Sequence, residues 1–244
     1  MKILMTIFFV CIFLICVFGI TTQKQSIRRI QVNVSLPISN AKGQVEAMKD
    51  SFNIFKAIIY YIFCRLLIQK FTTQKKDTSK KITEQYHYFG FAQGDSLGLM
   101  YETMQSKKYE KLSVDSVLAG QGLGTISKAE LLSYNQRFVK TTTQTKGVFQ
   151  TIYCSDKIED INTPDSIYFT FSEHLKWIKI SISNRMDSLN QSKLSKLLIL
   201  YKAQFYKGYE NKIPERKFII EMREMPVDNL KGISAFFKRL KNEL

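Results

Sequence analysis

Between Lys146 and Ser183 three strand-like stretches follow one another, Lys146 to Cys154, Ile167 to Phe171 and Leu175 to Ser183, with no helical pattern between them. Strands that close together pair antiparallel, because a parallel neighbour needs a long crossover, usually a helix. The same alternation, rich in Ile, Tyr and Phe, marks Ile82 to Ala92 and Lys217 to Met225. Nearer the start, Ile30, Val32, Val34, Leu36 and Ile38 alternate with polar residues or proline, the pattern of a half-buried strand. Pro37 confines the far end of that strand to an edge or an exit. Helical signals are fewer. Ser127 with Glu130 forms a capping box ahead of Leu131, Tyr134 and Phe138. Leu194, Leu197, Leu198, Tyr201 and Phe205 keep helical spacing before Gly208, and Leu230, Ile233, Phe237, Leu240 and Leu244 form the stripe of a C-terminal amphipathic helix. The expected fold is α+β, mainly antiparallel sheet with a few packed helices.

An apolar N-terminal segment precedes this part. Ile3 to Ile20 is an uncharged run of eighteen residues, interrupted only by Thr6 and Gly19. As a helix it would extend ~27 Å, enough for a bilayer core and long for a signal-peptide h-region. Residues 1–20 therefore read as a signal peptide or a membrane anchor. A second apolar segment, Phe52 to Phe71, is interrupted by Lys56 and Arg65, which fall on opposite sides of a helix. It is open to three readings: a membrane helix with both charges snorkelling, an interfacial helix, or a helix packed on the domain. The resulting division is 1–20 signal or anchor, 21–81 basic membrane-proximal region, and 82–244 globular domain.

The net charge of +15 would point to nucleic acid if it were spread over the fold. It is not: residues 1–81 carry a net +10 and 82–244 only +5. Lys70, Lys75, Lys76, Lys80 and Lys81, diluted by Asp77, form the densest cluster beside the second apolar segment. Such a cluster suits an anionic lipid surface, the expected partner, or serves as a solvated linker. No nucleic-acid partner is expected, since no binding motif accompanies the charge. Of the four cysteines, Cys11, Cys16 and Cys64 sit in the apolar segments and Cys154 in the domain. No disulfide framework follows, and Cys154 reads as a buried free thiol.

Gly94-Asp95-Ser96-Leu97 resembles the nucleophile block of the GDSL-type (SGNH) lipases and esterases. The resemblance implies Ser96 as the group that attacks an acyl carbon and a histidine that takes its proton. His174 is the only histidine after Ser96, and Phe171 stands three residues before it, where the family has Asp. The family's Gly-x-Asn-Asp block does not occur either. The tetrapeptide reads first as a turn built on Gly94, Asp95 and Gly98. Gly120-Gln-Gly-Leu-Gly124 fits neither phosphate-loop spacing and reads as a loop. Two separated histidines give no metal-ligand spacing, and no cofactor or metal is expected. The C-terminal Lys241-Asn-Glu-Leu244 resembles an endoplasmic-reticulum retention signal with Asn242 out of pattern, and Asn33 and Asn190 lie in glycosylation sequons. The expected function is non-catalytic binding or structure in an exported or membrane-tethered protein. The alternatives are a GDSL-like esterase using Ser96 and a luminal endoplasmic-reticulum resident.

Overall fold

The computed structural model describes residues 26–39, 44–71, 81–124, 136–205 and 212–244. Ile3 to Ile20 and the capping-box segment Ser127 to Tyr134 lie outside the described residues. The first six strands are β1 (Arg28–Ser39), β2 (Val45–Ala57), β3 (Tyr60–Phe71), β4 (Lys81–Ala92), β5 (Leu97–Tyr101) and β6 (Glu110–Ser113). Five more follow: β7 (Gln136–Thr145), β8 (Val148–Ser155), β9 (Ser166–Ser172), β10 (Lys193–Tyr201) and β11 (Arg216–Met225). They form one sheet in the order β6-β5-β4-β3-β2-β1-β11-β10-β9-β8-β7, with antiparallel pairs throughout. Two sequential meanders are thus joined where the first strand pairs with the last. The described helices are α1 (Val114–Ala119), α2 (Asn184–Asn190) and α3 (Leu230–Glu243). The antiparallel sheet and the C-terminal helix are those the sequence leads one to expect.

One face of the sheet carries a continuous apolar surface. Phe89 and Phe91 of β4 adjoin Tyr61 and Phe63 of β3, then Phe52 and Ile54 of β2 and Ile30 and Val32 of β1. It continues through Ile220 and Met222 of β11, Leu197 and Ile199 of β10, and Ile167 and Phe169 of β9. The connection from β9 to β10 crosses this face and buries Leu175, Ile178, Ile180, Ile182 and Met186 on it. The opposite face of β2 to β5 presents Phe55, Ala57, Ile62, Cys64, Leu99 and Tyr101 to Ile233, Phe236, Phe237 and Leu240 of α3. Helix α3 begins at Asn229, whose side-chain oxygen accepts from the Gly232 amide at 3.2 Å. In its last turn the Tyr101 hydroxyl donates to the Glu243 carboxylate, so the Lys241–Leu244 tetrapeptide is a helical end with one side chain engaged.

Several expectations need correction. Phe52 to Phe71 is not a helix but the β2–β3 hairpin, turning at Ile58 and Ile59. With a period of two, Lys56 and Arg65 fall on one face at its margins, where Lys56 bonds the Trp177 carbonyl and Arg65 pairs with Asp50. These strands, ahead of position 82, are central members of the sheet. Leu194 to Tyr201 is strand β10 and not a helix; its nearly unbroken apolar run satisfies either period. Leu175 to Ser183 alternates like a strand, yet after a 3-10 turn at Glu173–Leu175 it joins no strand among the described residues and lies across the sheet. Phe138, expected on a helix, is half exposed on the edge strand β7. Pro37 sits in β1 beyond Ser35, the last residue in register with β11. Asn33 is paired on both sides within β1. Among the described residues no helix is long and apolar enough to cross a membrane.

Candidate functional site

A cavity of about 550 Å³ opens where the β4–β5 turn and Tyr61 of β3 meet α1 and the crossing segment. Tyr61, Phe91, Val114, Leu118, Leu123 and Ile180 form its apolar wall, and Gln93, Asp95, Ser96, Asp115, Lys179 and Asn184 its polar rim. The strands set the wall: Tyr61 and Phe91 are register partners on β3 and β4, their rings stacked at 5.3 Å and 16°. Helix α1 starts where the Ser113 hydroxyl accepts from the Ser116 amide, and the Val114 amide donates to the Ser96 carbonyl at 3.0 Å. That bond ties the helix to the β4–β5 turn. The crossing segment is held from both sides: the Gly124 amide donates to the Ser181 carbonyl at 2.7 Å, and the Lys179 amide to the Tyr61 hydroxyl at 3.4 Å. Burial raises the Tyr61 phenol above its usual range, partly offset by that donated bond.

Cations gather at the same end. Lys56 Nζ donates to the Trp177 carbonyl at 2.6 Å and lies 5.5 Å from the Tyr61 ring centroid. The Arg28 guanidinium covers the Trp177 ring at 3.9 Å and pairs with both oxygens of Glu224. Desolvation first, then the charges of Lys179 and Arg28, push the Lys56 ammonium below the usual lysine range. Among the described residues no carboxylate pairs with Lys56 or Lys179.

Ser96 borders this cavity, in the turn where Gly94 adopts φ +94° and the Asp95 amide donates to the Ala92 carbonyl at 3.2 Å. Only glycine enters that conformation without strain. Gly98 serves differently: a Cβ there would stand 2.4 Å from Phe89 Cζ, so its bare backbone makes room for that ring. His174 lines a separate cavity beside Lys196 and Glu221, with Nε2 3.1 Å from the Lys146 carbonyl oxygen. The structure therefore sets the two candidate residues in different cavities, and no histidine is among the described residues lining the one at Ser96. Gly120 and Gly122 border a third cavity with Arg65 and Phe218. Among the described residues no cluster of His, Cys, Asp and Glu is placed to hold a metal. Lys70 and Lys81 lie at the far ends of β3 and β4, and Lys75, Lys76 and Lys80 lie outside the described residues. Cys64 and Cys154 are both free; Cys64 is buried, whereas Cys154 is only half-buried.

Sequence reasoning missed Lys56, Trp177 and Lys179 as a group, because they come from a hairpin and from a connection distant in sequence. The one signal was Lys56 itself, a charge inside an apolar run. No protein-family model matches the chain, and neither does the sequence of any characterised protein.

Proposed function

We propose that this is an exported or membrane-tethered, non-catalytic binding protein whose cavity takes an amphiphile. The apolar body would lie among Tyr61, Phe91, Leu118 and Leu123, and an anionic end would meet Lys179 and Asn184 at the rim. The observation that carries this reading is the division of one cavity into an apolar wall and a polar rim that holds Lys179 together with Asp95 and Asp115. The apolar N-terminal run and the lysine-rich stretch around residue 75 support the membrane association. Displacement of a fluorescent fatty acid from the purified chain tests it. Saturable binding weakened by Ala119→Trp, which would fill the cavity from the exposed α1 terminus, is expected; absence of binding ends the reading. Alkaline extraction of membranes with N-terminal sequencing tests the tether.

One observation favours a second reading. Ser96 stands on the rim of this cavity, as a GDSL-type nucleophile would have to. Turnover of short acyl esters that disappears in Ser96→Ala would establish a hydrolase. Absence of turnover, or turnover that survives the substitution, removes it.

A further inference from the structure

We propose that the β2–β3 turn, Ile58-Ile59, is a tip that inserts into the surface of an anionic bilayer, with Lys56 and Lys179 receiving the lipid headgroups beside it. The inference rests on the amphiphile reading for its purpose, since it would place the cavity mouth against the source of its ligand. Ile58 is 68% exposed and Ile59 47% exposed, at a two-residue turn between Ala57 and Tyr60. Ile58 takes φ +56°, a conformation that hairpin turns usually give to Asn, Asp or Gly and that a β-branched residue reaches only under strain. An exposed side chain cannot repay that strain by burial within this fold. Glycine would remove both the strain and the exposed surface, so the pair is explained by something outside the described residues that covers it.

Charge indicates what covers it. Lys56 is in register with Tyr61, one residue pair from the turn, and its own bond is to the Trp177 carbonyl. Lys179 is exposed on the rim of the cavity, and the field of Lys179 and Arg28 acts on Lys56. Neither lysine forms an ion pair with a carboxylate among the described residues, although Asp95 and Asp115 share the cavity rim with Lys179. The Ile59 carbonyl accepts from the Gln93 amide at 2.8 Å, which binds the tip to the turn that frames the cavity. Apolar side chains projecting past these cations match the interface, where acyl chains begin below anionic headgroups. A protein groove would have to supply the same two layers.

The full chain is tested in vesicles, where an N-terminal anchor would bind any lipid, so the readout is depth at Trp177 and not binding. Trp177 is the only tryptophan and lies within the cation cluster. Phosphatidylglycerol vesicles carrying brominated acyl chains are expected to quench it, and phosphatidylcholine vesicles are not. Ile58→Gly with Ile59→Ser should abolish the quenching. Lys56→Gln with Lys179→Gln should raise the lipid concentration for half-quenching about twenty-five-fold, at roughly fivefold for each lysine. Thermal melts at or above that of the parent show that the variants fold. Quenching that is absent, indifferent to lipid charge, or unchanged by the tip substitutions overturns the proposal. Lipid-free self-association abolished by the same substitutions would assign the tip to a second copy and overturn it too. Fatty-acid binding is measured without vesicles, so either reading can fail while the other stands.

Discussion

Leu240 packs its isobutyl group onto the bare Cα of Gly90: a Cβ built there would lie 2.5 Å from Leu240 Cδ1. Gly90 lies on β4 against Leu240 of α3, and neither partner is exposed. Gly90→Ala should destabilise by about 1–3 kcal/mol through overpacking. Leu240→Ala alone should cost about 2–5 kcal/mol. The double variant should cost less than the sum, which a cycle of urea midpoints measures.

A second coupling joins α2 to β10. Asp187 accepts from Lys193 Nζ at 2.5 Å and from the Leu194 amide at 2.7 Å, with the lysine side chain 8% exposed. Removing the carboxylate strands a buried ammonium and an amide together. Asp187→Ala should cost about 3–5 kcal/mol. Lys193→Met should cost clearly less, because the carboxylate keeps its amide. Equal losses in chemical denaturation would refute this account.

The turn residue Ile58 gives a test of opposite sign. Its left-handed backbone stores about 1–3 kcal/mol, while glycine costs about 0.5–1 kcal/mol in chain entropy. Ile58→Gly should therefore stabilise the fold by about 1 kcal/mol, read as a higher denaturant midpoint. A lower midpoint would show that the isoleucine is held by packing within the fold.

Alkaline conditions should weaken the protein. Burial pushes the Cys64 thiol up to about 11 from 9.0, opposed by its bond with Tyr88 and the charge of Arg29. Burial also raises the Tyr88 and Tyr101 phenols. The unfolded chain then loses these protons at lower pH than the folded one, so the folded state is favoured fully below pH 9 and progressively less as pH rises towards 11. The thiol alone accounts for about 2–3 kcal/mol. Urea midpoints should be flat to pH 9 and then fall, with a shallower fall in Cys64→Ala. At pH 8 Cys64 should react with thiol reagents only on unfolding.

Several elements are legible in the sequence because their pattern is unambiguous. In β1, Ile30, Val32 and Val34 alternate with polar residues, and only a period of two fits them. In α3, Ile233, Phe237 and Leu240 fall on one side of a helix backed by Lys238, Arg239 and Lys241. The Gly94 turn carries its own chemistry. For Phe52 to Phe71 and Leu194 to Tyr201 the apolar residues are nearly continuous, and the reversal at Ile58-Ile59 uses none of the residues that usually mark a turn. The cavity was less legible still, since Tyr61, Leu118 and Lys179 are assembled from a hairpin, a short helix and an unpaired crossing segment.

The sequence by itself therefore determined an antiparallel, α+β chain with an amphipathic C-terminal helix, because alternation and helical stripes are local properties of side-chain spacing. Only the tertiary structure decided that the second apolar segment is a hairpin and that the β9–β10 connection seals the sheet. An unbroken apolar run gains by burial on two faces in either conformation. The choice depends on what covers those faces, and here β1, β4, α3 and the segment from Leu175 to Met186, all distant in sequence, supply the cover.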